Sequence, residues 1–140
     1  KYMNRISGPL LDRIDIHIEI VPVSFEKLSQ TVEVENSESI RQRVIKARKI
    51  QELRFADYEG IYCNAQISSR LLRKYVHLSD EVAAILKNAM QRLNLSARAY
   101  DRILKVARTI ADLEESEDVL VHHIQEAIGY RNLDREGWCG

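Results

Sequence analysis

Two arginines stand where a guanidinium can meet an anion. Arg13 closes the run Ser7-Gly8-Pro9-Leu10-Leu11-Asp12-Arg13, and Ile14-Asp15-Ile16-His17-Ile18-Glu19-Ile20 follows at once. The alternation of isoleucine with polar residues predicts a strand, with Ile14, Ile16, Ile18 and Ile20 on one face and Asp15, His17 and Glu19 on the other. An arginine placed just before a strand sits at a sheet edge, within reach of a neighbouring subunit. The competing reading is a surface ion pair with Asp12, Asp15 or Glu19, worth roughly 0–1 kcal/mol. Arg98 lies in the first turn of a predicted helix, where unpaired backbone N–H groups favour an anion. A cation there runs against the helix dipole, which argues for a role in recognition. Its competing reading is a solvated basic stripe with Arg102 and Lys105, since positions i, i+4 and i+7 stack on one face.

The elements that must position these residues are mostly helical. Pro22 ends the strand, and residues 22–36 read as a linker with a short apolar element around Phe25 and Leu28. A helix over about 37–55 follows, with Ser37 as its cap and Ile40, Val44 and Ala47 on one face. Its other residues are strongly basic, Arg41, Arg43, Lys46, Arg48, Lys49 and Arg54, opposed within it by Glu52. Such clustering can neutralise DNA phosphates, but a solvated face balanced by Glu33, Glu35 and Glu38 is the simpler expectation. No aromatic residue is interleaved, so a base-stacking platform is not supported. Residues 56–66 read as a loop. Ser68 caps a short helix to Tyr75, and Ser79 caps the next, which carries Val82, Ile85, Leu86, Ala89 and Leu93 as its apolar face. Asn94 suits a left-handed residue at the helix end, and Ser96 starts the following helix at once, forcing a tight corner. That helix, to about residue 114, turns Ala99, Ile103, Val106, Ala107 and Ile110 inward. A last helix covers about 121–130.

The longer strings resemble a known family. Leu-Leu-Asp-Arg before an apolar strand is similar to the arginine-finger segment of the helix-2-insert AAA+ ATPases. Arg5-Ile6-Ser7-Gly8-Pro9 through His17 looks like their magnesium-chelatase-like branch, and its wording is closer to the competence-associated helicases than to true chelatase subunits. The segment from Leu95 to Leu113 is similar to the lid helix of that branch, and Glu126-Ala127-Ile128-Gly129-Tyr130-Arg131 also fits. The resemblance implies a mostly α chain, the helical lid of a AAA+ ATPase preceded by a short β segment left from the α/β core. Residues 1–24 would end that core, 25–66 form a linker and basic connecting helix, and 67–140 the lid. It further implies a homohexamer using ATP and Mg2+, with Arg13 as the finger in trans, Asp12 orienting it, Arg98 as the sensor-2 arginine, Arg102 as a helper and Arg5 as a weaker contributor. The implied activity is DNA remodelling, with metal insertion by a chelatase subunit as the alternative. A helical interaction module without any nucleotide role is a third reading.

Composition bounds these readings. The chain has 140 residues with 21 basic and 21 acidic side chains, so bulk attraction to nucleic acid is not expected and local patches must carry any DNA contact. No phosphate-loop motif G-x-x-x-x-G-K-[ST] occurs, so the chain alone is expected to be inactive. The start at Lys1 rather than Met suggests a fragment of a longer protein. No apolar run approaches the roughly 20 residues of a spanning helix. Cys63 and Cys139 are far apart and read as free thiols in a reducing cytoplasm. Adjacent His122 and His123 point in different directions along a helix, so a shared metal is not expected, and His17 and His77 read as ordinary histidines.

Overall fold

The computed structural model describes residues 7–11, 13–20, 22 and 35–131. Asp12, Arg5, the element around Phe25 and Leu28, and Cys139 lie outside the described residues. Six α-helices are formed among the described residues: α1 (Gly8–Leu11), α2 (Ser37–Arg54), α3 (Ser69–Tyr75), α4 (Asp80–Arg92), α5 (Ala97–Leu113) and α6 (Val121–Gly129), with a 3-10 turn at Asn64–Gln66. The fold is mostly α, as expected.

Local chemistry sets most of these boundaries. Ser68, Ser79 and Ser96 are extended residues whose hydroxyls accept from the N–H of Leu71, Val82 and Ala99. At α2 the cap is Asn36 and not Ser37: the Asn36 Oδ1 accepts from Ser39 N at 2.8 Å. A capping side chain must precede the first helical residue, and Asn36 is the extended one there.

Two helices end in the same way. At α4, Leu95 N donates to Met90 O at 3.0 Å across a left-handed Asn94, φ 48°. At α5, Ser116 N donates to Ala111 O at 2.8 Å and Glu115 N to Asp112 O at 3.2 Å across a left-handed Glu115, φ 57°. Both are Schellman closures, which satisfy carbonyls the helix leaves unpaired. A glutamate in this conformation costs about 1–2 kcal/mol. The cost is offset by Arg108, whose guanidinium donates to Ser116 O at 2.5 Å and Glu117 O at 2.7 Å and so holds the turn from inside.

Helix α5 is the hub. It packs on α6, α2, α3 and the 3-10 turn, while α4 packs on α6. Ile103, Leu104, Ala107, Ile110 and Ala111 meet Phe55, Ile67, Leu72, Leu86 and Ile124 in one core. Helix α2 packs on α5, with its buried residues in its second half. Ala47 and Gln51 are buried, but Ile40 and Val44 on the same face remain 43% and 46% exposed.

The predicted strand is corrected. Residues 14–20 form no ladder among the described residues, because a strand needs a partner strand and the described chain offers none. Its burial does not follow the alternation: His17 is buried, whereas Ile14, Ile16, Ile18 and Ile20 are exposed, and so are Asp15 and Glu19. His17 N donates to Tyr130 O at 2.7 Å and His17 Nε2 to Leu11 O at 3.1 Å. These bonds turn the histidine toward the helices. Ile16 and Ile18 border a cavity of about 360 Å³ whose other wall includes Val106, Ile110 and Leu113 of α5.

Candidate functional site

Arg13 follows a single helical turn that starts on Ser7, whose carbonyl accepts from Leu10 N and Leu11 N at 2.9 and 3.2 Å. Gly8 and Pro9 suit this start, since proline is tolerated in a first turn. Arg13 N then donates to Leu10 O at 3.0 Å. The Arg13 side chain is exposed and makes no bond to a described residue. The ion pair with Asp15 is not formed, because Asp15 is taken by Arg102 of α5. Arg131 also donates to Ile14 O. The loop bearing Arg13 is thus tied to α5 by its residue 15 and to the end of α6 by residues 14 and 17.

Arg98 is exposed in the first turn of α5, one helical turn before Arg102, and is likewise unbonded among the described residues. The basic stripe is not uniformly solvated. Arg102 holds Asp15, and Lys105 Nζ donates to Ala65 O at 3.0 Å. The structure therefore ties the Arg13 loop to the helix that carries Arg98 and leaves those two guanidiniums unbonded among the described residues, while Arg102 serves as the tie.

A buried polar cluster behind this face escaped sequence reasoning. Asp112, fully buried, accepts from Arg54 at 2.5 and 2.7 Å, from Arg108 Nε at 3.1 Å and from Asn64 Nδ2 at 2.8 Å. Asn64 Oδ1 also accepts from Arg54 at 3.0 Å, and Gln51 Oε1 accepts from Asn64 N at 3.2 Å. The cluster joins α2, the 3-10 turn and α5. Burial lowers the Arg108 guanidinium, and the Asp112 charge opposes that shift. The available sequence signal was the i, i+4 pair of Arg108 and Asp112 on the otherwise inward face of α5.

The two adjacent histidines converge rather than diverge. Both rings reach one carboxylate: His122 Nε2 and His123 Nε2 each lie 2.9 Å from Glu114 Oε2, with ring centroids 4.0 Å apart. These three residues have the arrangement of a metal ligand set. The donor chemistry does not fit one. His123 Nδ1 accepts from Leu120 N at 2.9 Å, which places the ring proton on Nε2. A metal at that nitrogen would require a doubly deprotonated ring. The arrangement is instead a clasp: His123 closes the start of α6, where Leu120 offers no capping side chain, and ties it to the end of α5. The His122 and then the His123 hydrogen bonds hold Glu114 below the usual carboxylate range. A carboxylate depressed in the folded state stabilises above its unfolded pKa of about 4.3, and the contribution is lost as pH falls through the lower folded value. Acid titration followed by helical circular dichroism is expected to show Glu114→Gln with a shallower loss below about pH 4 than the parent chain. Equal acid sensitivity in the two proteins would rule the clasp out as a source of pH dependence.

Residues 34–131 match the family described as magnesium chelatase, subunit ChlI C-terminal, and residues 1–28 match magnesium chelatase, subunit ChlI. The chain belongs to the magnesium chelatase ChlI family. Within it, the chain is 40% identical over 136 residues to the competence protein ComM of Haemophilus influenzae, covering 96% of this chain and 26% of the relative. It is 42% identical over 136 residues, with the same coverage, to YifB of Escherichia coli, whose role is uncharacterized. The uncharacterized Rv2897c of Mycobacterium tuberculosis is 32% identical over 131 residues, 94% of this chain and 26% of that protein. The chain thus spans about a quarter of the length of the curated relatives it matches. The ChlI C-terminal match covers α2 to α6 and the whole polar cluster, while the ChlI match covers the Arg13 loop. No helix among the described residues is long and apolar enough to cross a membrane.

Proposed function

We propose that this chain is the finger-and-lid portion of a AAA+ ATPase that hydrolyses ATP between the subunits of a homohexamer and couples it to DNA remodelling in the cytoplasm. The observation that carries the reading is the pair of exposed guanidiniums, Arg13 and Arg98, unbonded among the described residues, on a loop and a helix tied together by Asp15 and Arg102. Two unpaired, exposed arginines suit a triphosphate, which bidentate guanidinium donors recognise well. No phosphate loop lies in these 140 residues, so the rest of the nucleotide site comes from outside them. Mg2+-ATP, when bound, supplies the phosphoryl group to be transferred. Arg13, delivered from one subunit, faces the charge that develops on it in the neighbour. Arg98, at a helix start, meets the same phosphates from the lid. In this reading Arg102 positions the Arg13 loop through Asp15, Asp12 orients Arg13, and Arg5 is the weaker contributor.

The relationship to a competence protein favours DNA as the substrate over metal insertion into a porphyrin. Salt-dependent DNA binding separates those two. A helical interaction module without nucleotide chemistry is tested at Arg98. In the full-length parent, Arg98→Ala is expected to lower ATP turnover by about 10²-fold, the scale of one preorganised donor. Assembly, read by light scattering, is expected to stay unchanged. Undiminished turnover would favour the interaction module.

A further inference from the structure

Arg13 sits on a backbone that cannot hold itself. The helical turn before it, α1, has four residues, and a turn that short is not stable without outside bonds. Those bonds fall on the carbonyls of Leu11 and Ile14, which bracket Arg13. Leu11 O accepts from Ile14 N at 3.0 Å and from His17 Nε2 at 3.1 Å. Ile14 O accepts from the Arg131 guanidinium. Both side chains are buried, Arg131 at 1% and His17 at 6% exposure. The end of α6 supplies the anchor: Arg131 N donates to Ile128 O at 2.9 Å, and Tyr130 O accepts from His17 N at 2.7 Å. The Arg102–Asp15 pair reaches the same loop one residue further on, but it is partly exposed and so a weaker restraint. Taking a guanidinium out of water is costly. Here the buried one is spent on the carbonyl next to a residue whose own side chain is exposed.

We infer that Arg131, assisted by His17, is a positioning residue for Arg13, an inference that rests on the finger reading above. A finger acts through geometry, and misplacing a reacting group by about 1 Å can cost about 10²-fold in rate. A guanidinium on an unrestrained turn would sample many positions, few of them aimed at the developing charge. Holding both bracketing carbonyls from inside narrows that range and leaves the Arg13 side chain open to a neighbouring subunit. Arg131, 117 residues along the chain from Ile14, thus shapes hydrolysis through Arg13.

The test is steady-state ATP hydrolysis by the full-length parent, read as radiolabelled phosphate so that low turnover is covered. Arg131→Met keeps a long apolar stem in the buried site and removes the donors. It is expected to lower kcat by about 10- to 100-fold. KM for ATP is expected to stay within about twofold, because the loss is of transition-state stabilisation and not of ground-state binding. In an Arg13→Ala background, Arg131→Met is expected to cost less than about twofold more, since the residue it positions is gone. A purely structural role would multiply the two losses. Circular dichroism and light scattering check the helices and the assembly, and His17→Leu carries the same cycle where Arg131→Met fails to fold. Undiminished kcat, a loss confined to KM, or losses that multiply would each overturn the inference while a large Arg13→Ala effect leaves the finger standing. No loss on Arg13→Ala itself would overturn the finger reading, and this inference with it.

Discussion

Alanine at Arg13 in the full-length parent is expected to lower ATP turnover by about 10³–10⁵-fold, the scale of an arginine finger supplied in trans. The expectation follows from position and availability. The loop from Ser7 to Arg13 is fixed by backbone bonds, its continuation is tied to α5 and α6, and the guanidinium itself is exposed and unbonded among the described residues. Lysine at this position should rescue little, because an ammonium lacks the planar fork that faces two phosphate oxygens at once. Mixing parent and Arg13→Ala subunits separates the modes of action. A fall in turnover steeper than the mutant fraction means that Arg13 acts across a cooperative ring interface. A strictly proportional fall leaves independent inactive subunits, and no fall reduces Arg13 to a surface charge.

Alanine at Asp112 is expected to destabilise the chain by about 3–5 kcal/mol, the cost of leaving a buried charge without its partner. Asp112 is fully buried and serves Arg54, Arg108 and Asn64 together. Its removal strands a second buried group, Arg108, which also holds the left-handed turn after α5. Urea denaturation followed by circular dichroism measures the effect. Asp112→Asn, which keeps acceptor and shape but not charge, should lose less than alanine. A loss under about 1 kcal/mol for alanine would mean that water or a rearranged Glu117 satisfies both arginines. The loss should appear first as release of α2, since Arg54 is the link from that helix to Asp112.

The contrast between these two residues shows what a sequence carries. Arg13 stands out in the sequence because its signal is local, a glycine–proline turn and an Asp-Arg pair within a few residues, and the structure shows it exposed. The helix starts at Ser68, Ser79 and Ser96 and the left-handed Asn94 were legible for the same reason, because capping and Schellman bonds close between residues three to five apart. Even the one-residue shift of the α2 cap from Ser37 to Asn36 exchanges one local acceptor for another.

What the tertiary structure decided lies farther apart in the chain. Asp112 meets Arg54 across 58 residues and Asn64 across 48, and no periodicity marks that meeting. The burial of His17 within residues 14–20 depends on Tyr130 and Arg131, which claim His17 and Ile14 from the far end of the chain. His122 and His123 diverge on a helical wheel, yet both bend to Glu114 because the Schellman turn after α5 brings that carboxylate beside them. Sequence by itself determined the five longer helices and most of their starts, and singled out two arginines that the structure leaves exposed. Packing decided which polar groups are buried together, because a buried charge finds its partner wherever in the chain that partner happens to be.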